Sequence, residues 1–98
     1  MTEAAMPRTS DTTPPALARG VYRHYKGAHY HVLDLVRHSE TEEWLVYYRT
    51  CYGDWSRWVR PYGMFIEQVV IAGVEQPRFD YVAAELAELN LIEPESCR

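Results

Sequence analysis

Histidine is the side chain best suited to proton transfer and metal ligation near neutral pH. All four histidines of this 98-residue chain lie between His24 and His38, three of them in the stretch HYKGAHYHV. With Gly27-Ala28 as a two-residue turn of the II′ type, Lys26 faces His29, Tyr25 faces Tyr30 and His24 faces His31. Strand alternation then places His24, Lys26, His29 and His31 on one face. Three imidazoles are the number a catalytic zinc site needs. Against this, the Lys26 ammonium repels a cation, and no carboxylate shares that face to orient a ligating histidine. Tyr25, Tyr30 and Val32 form the larger apolar set, so the histidines are expected to line the solvated side of a hairpin. No metal and no other cofactor is expected.

The run His38-Ser39-Glu40 sets a base, a hydroxyl and a carboxylate side by side. Catalytic triads converge in space, whereas neighbours in an extended segment point opposite ways. His38 and Glu40 are therefore weak candidates for general acid–base catalysis, with Glu40 or Arg49 orienting a substrate. The structural reading is that Ser39 and Glu42 cap a tight turn as an S-x-x-E box, and that His38 is a buried, hydrogen-bonding residue. A second constellation favours binding over reaction. Tyr22, Tyr52, Trp55, Trp58 and Arg60 offer stacking faces and a planar fork for carboxylate or phosphate, and are expected to line an aromatic and basic groove. His24, Lys26 and Arg49 join Tyr22, Tyr52, Trp58 and Arg60 as candidate ligand-binding residues.

Positioning these groups requires short strands. Val21–Lys26, His29–His38, Trp44–Cys51 and Ser56–Pro61 are dense in β-branched and aromatic residues and are separated by turn residues. YGMFIEQVV predicts one tight helical turn passing into a strand through Val69–Ile71, and Val74–Phe79 adds an edge strand. From Asp80 the apolar residues fall at three- and four-residue spacings among Ala, Leu and Glu, which predicts a C-terminal helix over 80–92 with Asp80 as its N-cap. Residues 1–18 are rich in Thr, Pro and Ala and predict a disordered leader, and 93–98 a tail. The class is mainly β: a small SH3-like barrel over 19–79, or a strongly bent antiparallel sheet, with the helix packed on it.

Net charge is −4, unevenly distributed. Residues 19–60 hold seven basic against five acidic groups, and 61–98 two against seven. An acidic whole disfavours DNA, which demands phosphate neutralisation, while the basic central part leaves an RNA-binding barrel as an alternative. No run reaches 18 apolar residues and the N-terminus lacks a signal-peptide core, so no membrane partner is expected. Cys51 and Cys97 have no partner at metal or redox spacing, and predict free thiols in a reducing cytoplasm.

The blocks GVYRHYKG (20–27), Y-x-V (30–32), RHSET (37–41), VYYR (46–49), YG (52–53), WVRP (58–61), MF (64–65) and PRF (77–79) occur in this order. Together they closely resemble domain-of-unknown-function family 1653, small bacterial proteins, over about residues 19–82. The resemblance implies a small β domain with no established activity. Positions 29 and 31 are not histidines in the family pattern, and Gly63 stands where the pattern has an acidic residue. The leading expectation is a non-catalytic recognition module for a protein, a peptide or a small anionic ligand.

Overall fold

The structure, a computed structural model, describes residues 13–92. Four strands follow one another as an antiparallel meander: β1 (Gly20–His24), β2 (His29–Arg37), β3 (Trp44–Thr50) and β4 (Arg57–Pro61). A single helical turn, α1 (Tyr62–Phe65), comes next. A two-stranded hairpin of β5 (Gln68–Ile71) and β6 (Val74–Pro77) then leads to β7 (Phe79–Ala83), which returns to pair with β1. The main sheet has the order β4-β3-β2-β1-β7. Its two edges, β4 and β7, do not pair with each other, so the barrel expected from sequence does not close among the described residues. The protein is mainly β and antiparallel, with little helix.

The hairpin of β1 and β2 departs from the predicted register. Arg23 pairs with His29, Tyr22 with Tyr30 and Val21 with His31. The turn is longer than Gly27-Ala28, closed by His24 N–H to Ala28 C=O (2.8 Å) and Gly27 N–H to His24 C=O (2.7 Å). His24 Nδ1 also accepts the Lys26 N–H at 3.1 Å, so the side chain fills the turn. The offset is odd, so it exchanges faces. Tyr22, His24 and Tyr30 now share one side, while His29 and His31 lie on the other with Arg23. The expected row of three histidines does not exist.

The predicted C-terminal helix is also corrected. Phe79–Ala83 is a strand, and only a 3₁₀ turn, Leu86–Leu89, follows it. Helix propensity loses to pairing and burial here. Phe79 lies opposite His24 and is buried in the core, and Tyr81 lies opposite Tyr22. The turn ends at Asn90, whose left-handed backbone (φ 57°) stops propagation. Ahead of β1, Leu17 packs against the core, and the Tyr22 and Tyr62 hydroxyls donate to the Ala18 and Ala16 carbonyls (2.6 and 3.1 Å). Residues 1–12, the bulk of the expected leader, and the tail 93–98 lie outside the described residues.

The main core cluster sits on one face of the sheet. Tyr22, Val32, Val46, Tyr48, Phe65 and Phe79 form one buried cluster, joined at its margin by Leu17, Tyr30, Leu35 and Tyr62. Phe65 and Phe79 stack with centroids 4.2 Å apart and planes within 3°. Tyr22 meets Phe65 edge-on at 5.3 Å. Burying a side chain the size of Phe65 contributes about 1.5–3 kcal/mol, so the single turn α1 plugs the sheet with one ring.

Candidate functional site

Beyond the Phe65–Phe79 stack, this face of the sheet stays open. Tyr30 of β2, Tyr48 and Thr50 of β3, Trp58 and Arg60 of β4, and Tyr52, Asp54 and Ser56 of the connecting loop line a cleft of about 290 Å³. Cross-strand register accounts for the gathering. Tyr30 lies opposite Thr50, and Tyr48 opposite Trp58, so three neighbouring strands present large side chains to one volume.

The cleft walls are braced by hydrogen bonds. The Tyr30 and Tyr52 hydroxyls are 3.0 Å apart. Thr50 Oγ1 donates to the Tyr52 carbonyl at 3.3 Å, and the Ser56 N–H donates to Asp54 Oδ1 at 3.1 Å. Trp58 Nε1 donates to Ser56 Oγ at 2.8 Å, which fixes an indole that is 55% exposed. Burial, followed by the hydrogen bond shared with Tyr52, pushes the Tyr30 phenol above its ordinary value, so it stays neutral. Arg60 rests its guanidinium over the Phe79 ring at 5.5 Å. Its Nε is buried without a hydrogen-bond partner among the described residues. A buried donor left in that state costs about 1–3 kcal/mol.

Of the residues singled out from sequence, Tyr52, Trp58 and Arg60 converge here. His24 is a neighbour: its ring lies 4.9 Å from Phe79 and 6.2 Å from Tyr30. Burial, then the charges of Arg78, Lys26 and Arg60, holds its imidazole below the ordinary histidine value. Lys26 is exposed on the same turn, 5.8 Å from the Tyr25 ring.

The others lie elsewhere. Tyr22 belongs to the sealed core. Trp55 adopts a left-handed backbone (φ 53°), a conformation costing a bulky residue about 1–3 kcal/mol, and is buried with the Arg49 guanidinium 5.3 Å from its ring. Arg49 is itself buried, on the opposite face of the sheet by strand parity. His38 and Glu40 sit in the β2–β3 turn, where His38 Nδ1 accepts the N–H groups of Glu40 (3.0 Å) and Thr41 (3.2 Å). His38 thus caps the turn in place of the expected Ser39–Glu42 box. Among the described residues no group of three potential metal ligands is found, and Cys51 is a buried free thiol. No helix among them is long and apolar enough to cross a membrane.

Sequence reasoning misses Tyr30, Tyr48, Thr50, Asp54 and Ser56. Parity was the available signal: once Trp58 and Arg60 are placed on one face, Tyr48 and Thr50 follow by pairing. The loop residues Asp54 and Ser56 carry no such signal.

A family model described as "Protein of unknown function (DUF1653)" matches residues 20–81. The chain is also similar to the crystal structure of a DUF1653 protein from Bordetella bronchiseptica. The identity is 37% and the TM-score 0.65, over 81% of this chain and 95% of that one. No curated protein matches the chain.

Proposed function

The chain belongs to the DUF1653 family, and from that starting point we propose that it is a non-catalytic recognition module. Its cleft takes the anionic group of a ligand against Arg60, with a flat or apolar portion of the same ligand on Trp58. The observation that carries this reading is the Arg60 guanidinium on the wall of a cleft that also exposes an anchored indole. Arg supplies a planar fork for carboxylate or phosphate, and Trp supplies area at small entropic cost. The strand order, with β1 flanked by β2 and β7, fits a half-open relative of the SH3-like barrel. The free, buried Cys51 fits a reducing cytoplasm.

Tryptophan fluorescence tests the cleft directly. Titration with a panel of benzoate, nucleoside monophosphates and short acidic peptides is expected to shift the emission of the wild-type chain. The Arg60→Gln variant should bind the responding ligand at least tenfold more weakly. Silence across the panel at millimolar concentration, or equal binding by Arg60→Gln, rules the reading out.

A further inference from the structure

β4 is an edge strand of unusual composition. Its sequence, RWVRP, holds two arginines and no acid. Among the described residues no strand pairs with its outer side. Hydrogen bonding in an antiparallel pair alternates along the strand. The Thr50 N–H donates to the Ser56 carbonyl (3.1 Å), which makes this a hydrogen-bonded pair. By register, Trp58 with Tyr48 and Arg60 with Val46 belong to the same class. The N–H and C=O groups of Arg57 and Val59 therefore point away from β3, toward the open edge. Pro61 falls in that outward set, where its missing N–H removes nothing from the β3 ladder and stops any added strand from running further.

Exposed edges of this kind are normally blunted, because they are templates for another chain. Here Arg57, Trp58 and Val59 are all exposed, Val59 by 52%. Strand alternation puts Trp58 and Arg60 on the cleft side and Arg57 and Val59 on the other. Neither Arg57 nor Arg60 has a carboxylate within ion-pair distance among the described residues.

We propose that the open edge of β4 receives an extended acidic peptide as a sixth strand, its alternate side chains entering the cleft. This rests on the cleft reading above and names its partner class. Backbone bonds to Arg57 and Val59 supply affinity, and carboxylates of the added strand meet Arg60 in the cleft and Arg57 outside it. A second copy of this chain fits poorly, since pairing β4 with β4 brings four arginines together. The opposite edge, β7, carries Asp80 and repels the same partner.

The test uses the full chain, labelled with nitrogen-15, and a pool of blocked hexapeptides alternating Glu with Thr or Val. At saturating peptide, the amide hydrogens of Arg57 and Val59 are expected to exchange at least tenfold more slowly. The same peptides N-methylated at every second residue should bind at least tenfold more weakly. Val59→Pro removes one outward N–H and no β3 bond, so it should weaken peptide binding tenfold or more while benzoate binding is retained. Should Val59→Pro fail to fold, the N-methylated peptides decide the matter. Benzoate binding without peptide binding, or peptide binding with unchanged exchange at Arg57 and Val59, overturns strand addition and leaves the cleft reading standing. Protection by peptide with no response to benzoate or the nucleoside monophosphates supports strand addition and removes the small-anion reading. No binding of the peptides or of either small anion class overturns both.

Discussion

The two ends of the face that carries the core and the cleft are built from the same kinds of residue and have opposite fates. Toward β7, Tyr22, Phe65 and Phe79 are each less than a tenth exposed. Toward β4, Tyr52 and Trp58 are about half exposed, and Arg60 is half-buried beside them. Aromatic content does not separate the two. What separates them is a cover: α1 drops Phe65 onto one end, and nothing among the described residues is laid over the other. An aromatic cluster reads as core where an adjacent element seals it, and as a binding surface where hydrogen bonds hold it open.

The largest effect that would sharpen this contrast is at the plug. Phe65→Ala is expected to lower stability by about 3–5 kcal/mol, measured by urea denaturation, because the Phe79 ring loses its stacked partner. A loss under 1 kcal/mol would mean the sealed end is not the stabilising one. Next come the hydroxyls. Tyr22→Phe removes the part-buried bond to Ala18 and should cost about 1 kcal/mol. Tyr52→Phe, at the open end, should cost less than about 0.5 kcal/mol, and equal costs would erase the distinction. Trp58→Ala should leave stability within about 0.5 kcal/mol of wild type and abolish the fluorescence response to cleft ligands. An unfolding Trp58→Ala chain would instead make the indole part of the core.

The smallest effect lies at the border, on His24. Its folded pKa is held below the ordinary value, first by burial and then by Arg78, Lys26 and Arg60. Below about pH 6.5 the unfolded chain takes up a proton that the folded chain resists. Stability is therefore full above that pH, falls as pH drops below it, and levels off only beneath the folded pKa. Urea melts at pH 7.5 and 5.5 should show a smaller drop for His24→Asn than for wild type. An identical drop removes His24 from the account.

Much of this was legible in the chain and some was not, for specific reasons. β3 and β4 were readable because Trp44–Thr50 and Arg57–Pro61 combine strand formers with flanking turns. So was the turn before β5, from Tyr62 and Gly63 ahead of a β-branched run. The first hairpin was misread because Gly27 suggests a two-residue turn, whereas His24 Nδ1 supplies a side-chain acceptor that stabilises a longer one. The longer turn moved His24 to the core face, away from His29 and His31, and dissolved the apparent metal site. β7 was misread because Ala, Leu and Glu from residue 83 onward set the local preference, while the pairing that decides Phe79–Ala83 lies with β1, out of reach of any local window. At the site, Trp58 and Arg60 were identifiable by type, but Trp55 was not separable from them until its left-handed backbone turned it onto Arg49.

The return of β7 to β1 also sets a schedule. Tyr22 and Tyr81 pair across 59 positions of chain, whereas every other strand contact in the main sheet is between neighbours in sequence. Local hairpins close in about 1–10 μs, while distant pairing must first offset a loop-closure cost that rises with length. The meander is thus expected to assemble early and β7 to dock after the rate-limiting barrier. Phe79→Leu should then act mainly on the unfolding rate and Val46→Ala on the folding rate, a partition that stopped-flow chevrons resolve. A Phe79→Leu chain that folds slowly and unfolds normally would reverse the order. The last strand to arrive is the one carrying the ring beneath Arg60, so that guanidinium gains its aromatic support only when folding is complete.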